Sequence, residues 1–125
     1  MTTTPEGRVS AALRQSVINA GGEIRKVQWQ GRVGAPDWLV MYKGSAVFVE
    51  AKSPGEVPRR SQIVEFLRVS RASGIPVLVL DSAANAGVAV QALQALSAGD
   101  VDEYKRLCNI HGFLRYTGVT LCGEF

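Results

Sequence analysis

Apolar residues recur along this chain with the period of an α-helix in four separate stretches. In the first stretch Val9, Leu13 and Val17 return every four positions, which places them on one face of an amphipathic helix. Thr4 precedes that stretch as the predicted N-cap, with Pro5 at the first helical position. Glycines follow the first two stretches and predict where those helices end. The four helices are predicted over residues 5–20, 59–73, 85–98 and 99–108.

Shorter apolar runs between the helices contain many β-branched and aromatic residues and predict strands. Two runs flank the turn Lys43-Gly44-Ser45, which predicts an antiparallel hairpin. The run over residues 46–49 is apolar on both faces, as expected of a central strand. The last run follows the second helix, and such a crossover is normally parallel and right-handed. The strands are predicted over residues 23–29, 38–42, 46–50 and 75–80.

The resulting order, α-β-β-β-α-β with extra C-terminal helices, predicts an α/β fold with a mixed sheet flanked by helices. A length of 125 residues suits one domain with one core, and we expect residues 1–125 to form it. The last segment, residues 110–125, is rich in apolar and aromatic side chains. It is compatible with a strand, with a loop, or with a surface that covers a partner subunit.

Three ionisable side chains fall at the ends of two neighbouring predicted strands. Asp37 opens the strand before the turn and Glu50 closes the strand after it, so antiparallel pairing would bring them side by side. Side chains alternate along a strand, so Glu50 and Lys52 should face the same side. Two carboxylates and the backbone carbonyl of Ala51 are a usual protein contribution to a Mg²⁺ site. The alternative interpretation is an ordinary Pro-Asp turn beside a solvated Glu-x-Lys strand end.

The full series of these residues resembles a known nuclease family. Gly34-Ala35-Pro36-Asp37, then Glu50-Ala51-Lys52, then Gln62 on the next helix, is similar to the VRR-Nuc branch of the PD-(D/E)xK superfamily. Glu6 in the first helix also matches the family pattern, and the resemblance covers residues 6–81. One departure is the alanine between the glutamate and the lysine, where a larger aliphatic residue is more usual.

This resemblance implies a restriction-endonuclease-like core and a metal-dependent phosphodiesterase that acts on DNA, of the stand-alone phage type. Small domains of the family often act as homodimers, so the resemblance suggests cleavage of Holliday junctions or other branched DNA. The implied partner is branched or duplex DNA. The implied metal is Mg²⁺ or Mn²⁺. The implied roles are metal ligation by Asp37, Glu50 and the Ala51 carbonyl, an outer or second-metal ligand at Glu6, a catalytic lysine at Lys52 and a supporting group at Gln62.

Charge and hydropathy bear on the binding partner and on the cellular location of the protein. The net charge of +3 permits a polyanionic partner, and basic residues cluster near the motif. We predict DNA-phosphate contacts for Arg59, Arg60, Arg32 and Lys26, against the alternative that helix arginines serve solubility. No apolar stretch approaches a membrane span, and residues 1–5 do not resemble a signal peptide, so we expect a cytoplasmic protein, in the host cell if phage-encoded.

Two other functions compete with the nuclease hypothesis. One is a catalytically silent module that binds DNA or another partner on the same fold. The other is a hydrolase that uses Cys108 as nucleophile and His111, the only histidine, as base. A zinc site built from Cys108, His111 and Cys122 would lack a fourth strong ligand. We expect both cysteines to be reduced and partly buried.

Overall fold

A four-stranded sheet lies at the centre of the computed structural model, which describes residues 4–118. The strands follow one another in sequence order across the sheet. The first two pairings are antiparallel, and the third and fourth strands are parallel. The predicted mixed α/β fold and its element order are therefore confirmed. The elements are α1 (Pro5–Ala20), β1 (Glu23–Lys26), β2 (Trp38–Tyr42), β3 (Ser45–Ala51), α2 (Arg60–Ser73), β4 (Val77–Leu80), a 3-10 turn (Ala83–Asn85), α3 (Ala86–Ser97) and α4 (Val101–His111).

The first helix forms where its capping signals predict it. The Thr4 side chain accepts a hydrogen bond from the Gly7 backbone N–H, and Gly21 ends the helix in the left-handed conformation with φ of 83°. Val9, Leu13 and Val17 are buried along one face. The second helix begins one residue later than predicted, because Arg59 is its N-cap and has extended backbone angles.

The hairpin turn is shorter than the sequence suggests. Tyr42 pairs with Ser45, so the turn contains only Lys43 and Gly44, with φ values of 40° and 83°. Positive φ at both central residues is the geometry whose twist matches that of the flanking strands. This turn fixes the register of the hairpin, in which Trp38 pairs with Val49.

Helices pack on both faces of the sheet, and the alternation of side chains along β3 assigns each residue to a face. Val47, Val49 and Ala51 belong to a large apolar cluster with α1, α3 and α4. Phe48 belongs to a smaller cluster with Phe66 of α2 and residues of β4. Because alternate side chains share a face, Glu50 and Lys52 follow Phe48 toward the α2 side.

Several further boundaries differ from the prediction, and α4 begins at Val101 instead of residue 99 and continues to His111 instead of residue 108. β1 ends at Lys26 instead of residue 29, and β4 begins at Val77 instead of residue 75. The tail after α4 lies against β4, because the Phe113 carbonyl accepts a hydrogen bond from Val79 N–H and the Thr117 hydroxyl donates to the Val77 carbonyl. Its remainder, residues 119–125, lies outside the described part of the chain. No helix among the described residues is both long enough and apolar enough to cross a membrane.

Candidate active site

Asp37 and Glu50 lie at the same edge of the β2–β3 hairpin. Asp37 directly precedes Trp38, and Glu50 directly follows Val49. Because Trp38 pairs with Val49 in antiparallel strands, Asp37 and Glu50 lie side by side. The Asp37 carbonyl also accepts a hydrogen bond of 2.8 Å from the Val27 N–H. This contact continues the β1–β2 ladder by one step and fixes the backbone that carries the Asp37 side chain.

The loop before Asp37 is held against the sheet and against α2. The Trp29 indole packs on the Phe48 ring at 5.6 Å between centroids, and its Nε1 donates to the Pro36 carbonyl at 2.8 Å. Gly34 has φ of 87°, and a Cβ atom there would lie 3.3 Å from the Gln62 Cα. A side chain at position 34 would thus be strained and would press on the first turn of α2.

Lys52 extends from the end of β3 toward the side-chain oxygen atoms of three residues. Its Nζ donates to Gln62 Oε1 at 3.0 Å and lies 3.4 Å from Glu50 Oε2. Glu56 Oε2 is 3.9 Å away. Both Lys52 and Glu50 are almost fully buried, and their hydrogen bonds with Gln62 of α2 place them on the α2 face of the sheet.

Gln62 connects the two ionisable side chains to the helix. Its Oε1 accepts from Lys52 Nζ and also from the Arg59 N–H at 2.9 Å, while its Nε2 donates to Glu50 Oε2 at 3.3 Å. A glutamine at the third helical position commonly bonds back to the N-cap N–H. The sequence pattern alone favours an exposed glutamine, whereas the side chain is buried and bonded at both ends of its amide.

The Glu50 carboxyl is in an environment that opposes its ionisation. Burial and the neighbouring Asp37 carboxylate raise the pKa of Glu50 to about 7, and Lys52 only partly opposes them. The Asp37 backbone N–H slightly favours the ionised form, yet Oε1 has no partner with hydrogen-bond geometry among residues 4–118. A buried carboxylate oxygen without a partner is costly, and a bound cation would remove that cost.

Glu6 and the Ala51 carbonyl complete the ligand set implied by the family resemblance. The Ala51 side chain is buried in the opposite apolar cluster, so only its backbone is available to the site. Glu6 is half-buried in the first turn of α1. Within residues 4–118 no three His, Cys, Asp or Glu side chains are grouped to hold a metal ion, so Glu6 does not form a carboxylate triad with Asp37 and Glu50. Its metal role stays a prediction.

The four basic residues predicted to contact DNA have different surroundings. Arg59 and Arg60 are exposed at the start of α2, beside Gln62. Lys26 is exposed at the end of β1, with its Nζ 5.1 Å from the centre of the Trp38 ring. Arg32 instead forms two hydrogen bonds with the Glu65 carboxylate, at 3.0 and 2.7 Å.

Glu56 and Glu65 are not marked by the sequence motifs, although both contact proposed site residues. Glu56 is placed by the turn that follows β3, in which its N–H donates to the Ser53 carbonyl and its carboxylate accepts from the Ser53 N–H. The Ser-Pro-Gly-Glu sequence of that turn is the only local signal for it. Glu65 has no local signal, since its partner is 33 positions away.

The structure weighs against a thiol nucleophile at Cys108. Cys108 is fully buried, and burial raises the pKa of its thiol to about 11, against a smaller opposite effect of a hydrogen bond with Tyr104. A reactive cysteine needs a lowered pKa and access to solvent. His111 is stacked on the Phe113 ring at 5.8 Å. Cys122 lies outside the described residues.

Comparisons with known proteins find relatives of this chain among nuclease domains. The "Putative nuclease p44" of Acyrthosiphon pisum secondary endosymbiont phage 1 is 41% identical over 78 residues, which are 62% of this chain and 83% of that protein. A solved structure described as a VRR_NUC domain superimposes with a TM-score of 0.63 at 33% identity, covering 71% of this chain and 97% of that one. A scan against models of protein families finds no match.

Proposed function

The chain belongs to the VRR-Nuc family of nuclease domains, and we propose that it hydrolyses phosphodiester bonds in DNA with Mg²⁺ or Mn²⁺ as cofactor. One observation carries the metal dependence. Among residues 4–118, Glu50 keeps an unpartnered, buried carboxylate oxygen next to a second carboxylate, Asp37, and beside the single ammonium group of Lys52. Such a site favours the binding of a hard divalent cation.

The donor set suits such an ion. Asp37 and Glu50 would supply carboxylate oxygens, and the Ala51 carbonyl would supply a third protein oxygen, which leaves the remaining positions for water. When bound, the metal would polarise the phosphate and lower the pKa of a bound water. Glu6 would act from outside this set, as an outer or second-metal ligand.

Lys52 would supply positive charge where negative charge develops on the scissile phosphate. Its ammonium group is held in place by Gln62 Oε1 and faces Glu50, so it needs little reorganisation when the phosphate arrives. Gln62 keeps Lys52 and Glu50 at fixed positions through three hydrogen bonds, one of which ties it to the Arg59 backbone. We therefore assign Gln62 to positioning.

Arg59 and Arg60 would contact the DNA backbone. Both are exposed at the N-terminal end of α2, one turn from the side chain that holds Lys52. Their charge and the helix N-terminus both favour phosphate. Lys26 is exposed and would contact DNA separately, because its Nζ lies over the Trp38 ring on the face of the sheet that carries α1 and α3.

Cleavage of branched DNA by a homodimer rests on the family resemblance. Two active sites in a symmetric pair would suit cutting of both strands at a junction. Sedimentation of the purified protein tests this part separately from catalysis, because a strict monomer that still nicks DNA would retain the nuclease proposal and remove the paired cutting.

The test of the nuclease proposal is a panel of labelled single-strand, duplex, flap, fork and four-way-junction DNA with Mg²⁺, Mn²⁺ or EDTA. We expect cleavage with either metal and none in EDTA. Asp37→Asn and Lys52→Ala should each lower the rate at least about 100-fold, as loss of a transition-state stabilising group does. Asp102→Asn, a carboxylate lost from the exposed side of α4, is the control and should cut normally.

Two outcomes would contradict the proposal. Full activity of either site variant would show that the reaction does not use these groups. DNA binding without cleavage by the unaltered protein, combined with no calorimetric signal for Mn²⁺, would instead identify a catalytically silent DNA-binding module.

A further inference from the structure

The Arg32–Glu65 ion pair joins the loop before Asp37 to α2. The guanidinium donates from Nε and from a terminal nitrogen to the two carboxylate oxygens, a bidentate arrangement that fixes orientation as well as distance. Glu65 is buried, with 9% of its side chain exposed, whereas 47% of the Arg32 side chain is exposed. These hydrogen bonds lower the pKa of Glu65 despite its burial, so the pair persists at neutral pH.

Glu65 lies one helical turn after Gln62, and positions three apart share one face of a helix. The loop therefore contacts two successive turns of α2. Arg32 bonds to Glu65, and Gly34 packs on the backbone of Gln62. On its other side the same loop is closed by the Trp29 indole. Asp37 follows directly, so its position relative to Gln62 depends on both contacts.

The geometry points to Arg32 and Glu65 as positioning residues that set the distance between the Asp37 strand and the Gln62–Lys52 group, which revises the predicted DNA-contact role of Arg32. The inference rests on the proposed nuclease function. The contact with Glu65 uses the Nε edge of the guanidinium and leaves three N–H groups toward solvent. A phosphate that drew Arg32 away from Glu65 would break both bonds. That exchange would leave the Glu65 charge buried without its partner.

The two roles predict opposite results for Glu65. If Arg32 contacts phosphate, Glu65→Gln removes a competing negative charge and DNA binding stays the same or tightens. If the pair positions the site, Glu65→Gln and Arg32→Lys each weaken the bidentate bond, and each lowers the single-turnover cleavage rate about 10- to 100-fold, the range known for groups that orient ligands. The Arg32→Lys variant keeps the charge, so a phosphate contact would largely survive it.

The experiment compares Arg32→Lys, Arg32→Ala, Glu65→Gln and the Arg32→Ala/Glu65→Gln double variant in single-turnover cleavage, and measures DNA affinity against salt concentration in EDTA. We expect both Glu65→Gln and Arg32→Lys to cleave DNA slowly, and the double variant to cleave no more slowly than the slower single variant. We expect the salt dependence of DNA affinity to be unchanged in Arg32→Ala. Arg106→Ala removes an arginine from an ion pair on α4 and is the control for net charge.

A normal cleavage rate for Glu65→Gln would overturn the inference. So would a decrease of about 1 in the slope of log DNA affinity against log salt concentration for Arg32→Ala, which would support a phosphate contact of Arg32. Amide hydrogen exchange over residues 33–37 gives a readout that needs no catalysis. Faster exchange in Arg32→Lys and Glu65→Gln, but not in Arg106→Ala, supports the positioning role even if the unaltered protein cuts no DNA. Unchanged exchange in both variants would overturn it, and failure of the nuclease proposal would be seen separately as inactivity of the unaltered protein.

Discussion

The buried Glu50 carboxyl should make the metal-free protein less stable as the pH rises. The pKa of Glu50 is about 7 in the folded protein, against an ordinary value of 4.5 that applies to the unfolded chain. A group whose pKa is raised by folding contributes stability below its unfolded pKa and loses it as the pH approaches the folded pKa. The window of loss therefore extends from about pH 4.5 to about pH 7, and the loss is complete above it.

The size of the effect follows from the same shift. A difference of about 2.5 pKa units at 1.36 kcal/mol per unit gives about 3 kcal/mol in total, of which about 2 kcal/mol falls between pH 5 and pH 8. Glu50→Gln removes the titration and keeps the shape of the side chain. We expect the variant to lose little stability over this range and to exceed the unaltered protein at pH 8 by about 1–2 kcal/mol. The gain is smaller than the full effect because Lys52 loses an attractive partner.

Urea unfolding in EDTA at a series of pH values measures both free energies, and other titrating groups cancel in their difference. Glu103→Gln, on the partly exposed side of α4, provides a control that should parallel the unaltered protein. Parallel curves for Glu50→Gln and the unaltered protein would refute the reasoning, because they would mean that burial and the Asp37 charge do not act on Glu50.

Three further predictions concern the metal and the contacts around Gln62. Mn²⁺ at about 100 times its Kd should raise the free energy of unfolding by about 2.7 kcal/mol, as seen in melts with and without EDTA, but not in Glu50→Gln. Gly34→Ala should destabilise the fold by about 1–3 kcal/mol in urea unfolding and slow cleavage, because φ is positive and Gln62 is in contact. Gln62→Glu keeps the acceptor for Lys52 but adds a negative charge near Glu50, which raises the pKa of Glu50 further. The ascending limb of the pH–rate profile should therefore move to higher pH, and an unchanged limb would contradict this prediction.

Local signals in the sequence predicted the fold well where the cause of the structure is itself local. Thr4 and Gly21 bound α1 because capping depends on residues within one turn. The alternation along β3 placed Glu50 and Lys52 on one face because the strand period is two. β1 was predicted three residues too long, since its apolar pattern continues past Lys26 while the chain turns so that Trp29 can pack on Phe48.

Contacts between distant segments could not be predicted in this way. Nothing near Arg32 in the sequence distinguishes a phosphate contact from a pair with a carboxylate 33 positions later. Gln62 was found only through the family resemblance, because an isolated glutamine in a first helical turn has no pattern that marks it as buried. The site depends on how α2 docks on the sheet, and that docking rests on Phe66 and the small apolar cluster together with the Arg32–Glu65 pair.

The same docking explains how the fold can hold a carboxylate that resists ionisation. Phe66 is fully buried against β4 and Phe48, so apolar packing keeps α2 on the sheet even when Glu50 is ionised. The packing of this helix holds Gln62 against Lys52 and Glu50, although ionisation of Glu50 opposes folding by about 3 kcal/mol. If the hydrophobic face of α2 were weakened, as in Phe66→Ala, the helix would move away and let water reach Glu50. The pKa of Glu50 should then fall toward its ordinary value. Metal affinity should also fall, because the Asp37 and Glu50 carboxylates would no longer be held close to each other in a buried site.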